Sequence, residues 1–152
     1  MKNLILILSL VFSSFYSNAQ SFNLEHDHST IQVQDIDKSV VFYKEILHLK
    51  EIDSPWPENK LIRFFETGNN QQLHIGQLNV EDYGDVKVNK VLHIAFAVND
   101  FDNYLTYLNE KGINYSNFAG ESKKVQIRPD GVRQIYFQDP DGYWIEINDV
   151  KH

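Results

Sequence analysis

Apolar and polar residues alternate in two stretches that each begin with histidine, His28–Asp35 and His93–Asp100. Alternation with a period of two is typical of a strand that buries one face, and the acidic end of each stretch can start a helix. In both copies a valine lies five residues after the histidine, and aspartates lie seven and nine residues after it, the second just beyond the stretch. A large apolar residue separates the two aspartates. Such internal similarity indicates a duplicated structural unit.

The segments that follow each histidine predict the same order of elements in both halves. Apolar spacing predicts helices over Lys38–Leu49, capped by Asp37 or Ser39, and from Asp102 or Asn103 to Lys111. Alternation and turn residues predict further strands at about Lys50–Asp53, Lys60–Thr67, Gln71–Gln77, Val125–Arg128, Gln134–Gln138 and Tyr143–Asn148. We therefore expect an α+β fold of two β-α-β-β-β modules, residues 26–80 and 91–150, joined by a linker over residues 81–90. Their mixed sheet should curl around a cleft.

Strand alternation also predicts which side chains face the cleft. His74 and Glu146 each lie between apolar residues that would face a helix, so both should point away from the core. His28 and His93 open the first strand of each module. Three imidazoles and one carboxylate on rigid strands suit a divalent metal ion, and zinc, iron, nickel and manganese all remain open. Each histidine alone is more often a solvated side chain than a ligand, and it is the repeat that favours a metal site.

Composition excludes several classes of function. The chain has 152 residues, 42% of them hydrophobic, which is enough for one domain with a packed core. Its formal net charge of −7 argues against a nucleic-acid partner, because such binding depends on clustered lysine and arginine. Since the sequence has no cysteine, thiol nucleophiles, cysteine-ligated zinc, iron–sulfur clusters and disulfides are excluded.

The N-terminus has the layout of a secretory signal peptide. Lys2 supplies a positive charge, an apolar segment extends to Phe12, and Ser17-Asn18-Ala19 predicts cleavage after Ala19. A membrane anchor is the weaker alternative, because a spanning helix needs about 20 apolar residues and serines interrupt this run. We expect residues 1–19 to be removed and residues 20–152 to form one exported domain, periplasmic or secreted, without a membrane contact.

These motifs resemble the vicinal oxygen chelate superfamily, the group of glyoxalases, bleomycin-resistance proteins and extradiol dioxygenases. The resemblance covers residues 28–148 and rests on His28 with Val33-Gln34-Asp35 and Phe42-Tyr43, on the stretch from His93 to Asp100, and on Asp139-Pro140-Asp141-Gly142-Tyr143-Trp144-Ile145-Glu146. It implies that His28, His93 and Glu146 are metal ligands. It places His74 at the fourth ligand position, which is Glu in bacterial glyoxalase I and commonly Gln in methylmalonyl-CoA epimerase. It also implies a homodimer, because two chains often close the cleft in this superfamily.

The reaction stays open at this point. A metal ion can stabilise an enediolate in isomerase or lyase chemistry, bind a catechol and oxygen in a dioxygenase, or polarise an epoxide in antibiotic-inactivating transfer. By resemblance to glyoxalase, Glu146 is the candidate catalytic residue, as the carboxylate that can carry the proton. Relatives that use glutathione, CoA or bacillithiol depend on cytosolic thiols, so export favours another small oxygen-chelating substrate.

The alternative function is binding without catalysis, as in bleomycin-resistance proteins, which sequester an antibiotic or another small molecule in this cleft. Such proteins typically lack the full ligand set, so the four candidate ligands favour an enzyme. Trp56, Phe137 and Trp144 are further candidates for packing an apolar ligand, and Arg63 for meeting a carboxylate. Core packing is the commoner role of such aromatic residues, and solvent exposure is the commoner state of arginine.

Overall fold

The computed structural model describes residues 24–78 and 89–151, and each half of the chain forms a β-α-β-β-β module. The first module contains β1 (His28–Val33), α1 (Ile36–Glu45), β2 (Lys50–Ile52), β3 (Ile62–Gly68) and β4 (Gln71–Gln77). The second contains β5 (His93–Ala97), α2 (Phe101–Glu110), β6 (Gln126–Ile127), β7 (Arg133–Gln138) and β8 (Trp144–Asn148). The predicted α+β class and the order of elements in the two modules are confirmed.

Each module holds one four-stranded mixed sheet, and neither sheet closes into a barrel. The strand order is β1-β4-β3-β2 in the first sheet and β5-β8-β7-β6 in the second. In each module the first and last strands pair in parallel, whereas the other neighbours pair antiparallel. Because the topology repeats, His28 and His93 begin equivalent strands of the two sheets.

An aspartate caps each helix. Oδ1 of Asp35 and Oδ1 of Asp100 each accept a hydrogen bond from the backbone N–H three residues later, both at 3.1 Å. Such a bond satisfies one of the backbone donors left free at a helix start. The predicted caps are therefore wrong, because both helices begin earlier and contain Asp37, Ser39, Asp102 and Asn103. The first helix also ends before Leu49, and the chain then turns through His48, whose φ of 52° lies in the left-handed region.

One hydrophobic core joins the two modules. Phe42 of α1 packs against Phe137 of β7, with the ring centroids 6.2 Å apart. Burial of a large apolar side chain contributes roughly 1.5–3 kcal/mol, so this shared core is the main source of stability. The buried members of the core are Val33, Ile36, Phe42, Tyr43, Phe65, Leu73, Ile75, Phe101, Leu108, Tyr115, Ile135, Phe137, Ile145 and Ile147.

The turn between β7 and β8 fastens the second module to the first. Asp141 accepts a hydrogen bond from the backbone N–H of Gln34 at 2.7 Å, and Asp139 accepts one from the hydroxyl of Tyr43 at 2.8 Å. Gly142 closes the turn with a φ of 91°, a conformation that residues with a side chain rarely adopt. This turn therefore connects two strands and also holds the two modules together.

Two sequence predictions fall outside the residues that the structure describes. They are the signal peptide, residues 1–19, and most of the linker, where residues 79–88 are not described. Within residues 24–78 and 89–151, no helix is long and apolar enough to cross a membrane.

Candidate functional site

The first pair of candidate ligands, His28 and His74, lies on the face of the first sheet that points away from the core, here called its open face. His74 is opposite Thr30 in the register of β1 and β4, and His28 lies two residues before Thr30. Side chains at such positions project from the same face. The two imidazole rings stack, with centroids 4.3 Å apart and planes 15° apart. The neighbours of His74 in β4, Leu73 and Ile75, are buried on the core side.

Hydrogen bonds determine which ring nitrogens of this pair are free. Asp27 Oδ2 lies 2.5 Å from His28 Nδ1, and Gln72 Oε1 lies 2.8 Å from His74 Nε2. Because both oxygens are acceptors, His28 Nδ1 and His74 Nε2 carry protons, so His28 Nε2 and His74 Nδ1 are the nitrogens left for a metal ion. Burial lowers the pKa of His74, and the neighbouring His28 lowers it further. The imidazole of His74 is therefore held in the neutral form that a metal ligand requires.

The second pair, His93 and Glu146, lies on the open face of the second sheet. His93 is beside Trp144 in the register of β5 and β8, and Glu146 follows two residues later. Nε2 of His93 is 3.3 Å from Oε2 of Glu146, whose side chain is 7% exposed. The hydroxyl of Tyr136 donates to Oε2 at 2.6 Å, and the amide of Asn148 donates to Oε1 at 2.8 Å. These two donors hold the carboxylate in a fixed orientation.

The two ring nitrogens of His93 face two different acceptors. Nδ1 of His93 lies 2.9 Å from the carbonyl oxygen of Lys90, so Nδ1 carries a proton. Nε2 lies 3.3 Å from Oε2 of Glu146, a contact that is an ion pair when Nε2 is also protonated. A divalent cation can take the place of that proton, because two ligands bound to one metal ion at about 2.0–2.2 Å are themselves roughly 3 Å apart. The donor set of this pair fits a divalent metal ion.

The structure brings the four candidate ligands together as two pairs and does not group all four. Each pair belongs to a different sheet. Within the described part of the chain, no three or more histidine, aspartate or glutamate side chains are placed to hold a metal ion. Zinc sites in proteins usually take three or four protein ligands. A complete site therefore requires the open faces of two sheets to be brought together.

Two of the predicted wall residues, Trp56 and Trp144, adjoin the pairs. Trp56 lies in the loop before β3, with its ring 6.3 Å from that of Phe64, and the Phe64 ring is 4.1 Å from that of His74. Trp56 is 60% exposed, which is unusual for so large an apolar side chain. Trp144 shares the open face of the second sheet with His93. An aromatic surface thus adjoins each ligand pair.

The other two predicted wall residues, Phe137 and Arg63, do not line the open faces, which corrects the prediction for both. Phe137 alternates with Tyr136 in β7 and is 2% exposed in the core. Arg63 alternates with Phe64 in β3 and pairs with Glu51 on the helix side of the first sheet. The placements of Phe137 and Arg63 follow from strand alternation, because neighbouring residues of a strand point to opposite faces of the sheet.

Several residues that hold the ligands are not singled out by the sequence pattern. Tyr136 and Asn148 lie on the same face as Glu146, so strand alternation could have found them. Lys90 lies at the end of the predicted linker and Asp27 lies before the first strand, where no periodicity points to a role. Their function becomes visible through the hydrogen bonds that they make.

Comparisons with known proteins agree with this architecture. The family model described as Glyoxalase/Bleomycin resistance protein/Dioxygenase superfamily matches residues 26–147. The uncharacterised protein YwbC of Bacillus subtilis is 31% identical over 126 residues, which are 79% of this chain and 93% of YwbC. Metallothiol transferase FosB of Staphylococcus saprophyticus is 30% identical over 128 residues, covering 80% of this chain and 74% of FosB. The structure of the oxidase ChaP-H2 shares the fold, with a TM-score of 0.68 at 23% identity over 86% of this chain and 97% of that chain.

Proposed function

The chain belongs to the Glyoxalase/Bleomycin resistance protein/Dioxygenase superfamily, and we propose on this premise that it is a divalent-metal-dependent enzyme acting on a small molecule with two adjacent oxygen atoms. Its metal ligands are His28, His74, His93 and Glu146. The observation that carries the proposal is the distance of 3.3 Å between His93 Nε2 and Glu146 Oε2, two atoms of the kind that bind metal ions in proteins. The relationship to FosB, which is described as a metallothiol transferase, supports an enzyme that uses a metal.

The site that we propose is shared between two copies of the chain. Within the described residues each sheet carries two ligands, and the two pairs are not grouped. In a homodimer, the open face of the first sheet of one protomer covers the open face of the second sheet of its partner. The symmetry of a dimer makes this contact twice and so gives two equal sites.

Glu146 is assigned the proton transfer. The chemistry that a bound metal ion supplies is polarisation of the substrate oxygens and stabilisation of negative charge on them. Glu146 is the one carboxylate among the four ligands, and it takes the proton that leaves the substrate carbon. Because Tyr136 and Asn148 already hold its oxygens at 2.6 and 2.8 Å, the base is positioned before the substrate arrives.

The identity of the metal ion distinguishes two types of reaction. Removal of a proton next to a carbonyl group begins lyase or isomerase chemistry and suits zinc, nickel or manganese. A dioxygenase needs iron and molecular oxygen, and the same imidazole and carboxylate donors also bind iron. We propose the proton-transfer reaction first, because two hydrogen bonds hold the carboxylate of Glu146 in one orientation beside His93.

Metal analysis of the protein from Gln20 to His152, purified without chelator or affinity metal, tests the proposal. About one metal ion per chain is expected by elemental mass spectrometry, and His93→Ala should lose it. Arg63→Ala is the matched control, because its ion pair lies on the helix side of the sheet. A wild-type protein that binds none of zinc, iron, nickel and manganese would contradict the metal site. The protein would then be studied as a ligand-sequestering binder.

The N-terminal pattern supports the further proposal that the enzyme acts outside the cytoplasm, in the periplasm or as a secreted protein, with small-molecule substrates as its partners. N-terminal sequencing of protein recovered from the periplasm or the medium should begin at Gln20. Protein that stays in the cytoplasm and retains Met1 would contradict this proposal.

A further inference from the structure

We propose that Lys90 is a positioning residue for the second ligand pair, holding both His93 and Glu146 in the orientation that a metal ion needs. The proposal rests on the proposed metal site. Lys90 lies just before β5, and three sets of contacts connect it with the pair.

The ammonium group of Lys90 is anchored to the loop that precedes β6. Nζ donates to the hydroxyl of Ser116 at 3.2 Å and to the carbonyl oxygens of Asn117 at 2.9 Å and Phe118 at 3.2 Å. An ammonium group has three donors, so these oxygens can take all of them. The side chain therefore fixes the position of its own backbone relative to this loop, and its donors are not available to a substrate.

The backbone of Lys90 in turn fixes His93. Its carbonyl oxygen accepts from Nδ1 of His93 at 2.9 Å, which directs Nε2 towards Glu146 at 3.3 Å. A hydrogen bond to the nitrogen that does not bind metal is the usual way in which proteins set the tautomer and the ring orientation of a metal-binding histidine. The position of the first ligand of the pair thus depends on where Lys90 is held.

The same ammonium group also contacts the rings beside Glu146. Nζ of Lys90 lies 4.4 Å from the ring centroid of Trp144 and 5.7 Å from that of Tyr136. Attraction between a cation and an aromatic face stabilises such arrangements. The position of the Tyr136 ring in turn determines the position of Glu146, because the hydroxyl of Tyr136 donates to the Glu146 carboxylate at 2.6 Å. One lysine therefore orients both ligands without touching the metal ion or the substrate.

A matched pair of lysines makes the proposal testable. Lys90→Met keeps the length of the side chain and removes its donors and charge, whereas Lys90→Arg restores both. Lys123→Met is the control: Lys123 donates to Asn109 and to the carbonyl oxygen of Ile113, both at 2.7 Å, and lies 4.6 Å from the ring of Tyr115. These contacts hold the other end of the same loop against the end of α2.

Two measurements are made on each variant. The first is zinc affinity, by competition with a chromogenic chelator. The second is the pair of ring-nitrogen chemical shifts of His93 in zinc-free protein, which report the tautomer. Lys90→Met should bind zinc about tenfold more weakly or worse and lose the uniform Nδ1–H tautomer. Lys90→Arg and Lys123→Met should stay within about threefold of the wild-type affinity.

Wild-type zinc affinity in Lys90→Met overturns the proposal. Equal weakening in Lys90→Met and Lys123→Met also overturns it, because the effect would then be general loss of loop stability. If the wild-type protein binds another of the four candidate ions and not zinc, the affinity is measured for that ion. If it binds none of zinc, iron, nickel and manganese, the proposed function fails, and the ring-nitrogen shifts of His93 alone decide the role of Lys90. If Lys90→Met does not fold, Ser116→Ala removes one acceptor and should weaken zinc binding about threefold, and an unchanged affinity would refute the anchoring role.

Discussion

The hydroxyl of Tyr43 in α1 donates a 2.8 Å hydrogen bond to Oδ2 of Asp139, in the turn between β7 and β8. Both side chains are buried, and the other carboxylate oxygen accepts from the backbone N–H groups of Asp141 at 3.0 Å and Tyr143 at 2.8 Å. A carboxylate of the second module is thus held by donors from both modules. The contact helps to fix the angle between the two sheets, and therefore the directions in which their open faces point.

Replacing Tyr43 with phenylalanine should lower the free energy of unfolding. The substitution keeps the ring in the core and takes one donor from the buried carboxylate of Asp139, a loss of about 1–3 kcal/mol. Urea unfolding followed by circular dichroism measures the difference. Val41→Ala on the exposed side of the same helix, where Val41 is 59% exposed, should stay within about 0.5 kcal/mol of wild type. Equal stabilities of Tyr43→Phe and wild type would contradict the role of this bond.

The contribution of Asp139 to the free energy of unfolding should fall as the pH rises. Burial raises the pKa of Asp139 above its ordinary value of 3.8, although its hydrogen bonds act in the opposite direction. Because the folded pKa is the higher one, the stabilisation from protonation is complete below the unfolded pKa and is lost as the pH rises through the folded pKa. The free energy of unfolding of wild type minus that of Asp139→Asn should therefore fall from about pH 3 towards neutrality. A difference that rises over this range would refute the assignment.

Asp149 should show the opposite pH dependence. The guanidinium of Arg133 donates from Nε to its Oδ2 at 2.7 Å, and this bond holds the pKa of Asp149 below 3.8. With the folded pKa the lower one, the stabilisation is present above the unfolded pKa and is lost as the pH falls through the folded pKa. Unfolding of wild type and Asp149→Asn over the same pH series should give a difference that shrinks on acidification. Slopes of the same sign for Asp139 and Asp149 would be inconsistent with these two environments.

Two variants that each fail to bind metal should restore metal binding when they are combined in one dimer. One carries His28→Ala with His74→Ala, and the other carries His93→Ala with Glu146→Ala, so neither alone has a complete shared site. In the mixed dimer one site lacks both pairs and the other has both. Random pairing after co-expression should then recover about a quarter of the wild-type metal content. Recovery of no metal, with wild-type protein loaded normally, would place all four ligands in one chain and reject the shared site.

Trp56→Ala should weaken the binding of ligands that contain a flat ring. The exposed Trp56 ring continues the aromatic surface that Phe64 begins beside His74. Loss of that stacking should weaken the binding of 4-nitrocatechol by about tenfold. The affinity is measured by titrating 4-nitrocatechol into metal-loaded protein and following its absorbance. Acetohydroxamate, which chelates through two oxygens without a ring, should bind both proteins similarly. An equal loss for the two ligands would show that the substitution disturbs the metal site itself.

Strand alternation predicts most of the fold and part of the candidate site. It places His74 and Glu146 on the open faces because buried apolar residues lie on both sides of each. The same rule would have excluded Phe137, whose aromatic character alone suggested a ligand wall. The helix caps are harder to predict, because two aspartates stand two residues apart at each helix start. The extended backbone at Asp35, with φ of −136°, makes that residue the cap of the first helix. The grouping of the two pairs depends on how two sheets meet, which a period of two residues does not encode.

The five residues of β8 also bear on how this protein can change over generations. Ile145 and Ile147 are buried in the core, whereas Trp144, Glu146 and Asn148 share the open face. Mutations that alter reactivity and mutations that alter packing therefore fall on alternate positions of one short strand. A descendant could acquire a new reaction by substitutions at Trp144, Glu146 or Asn148 while Ile145 and Ile147 preserve the fold.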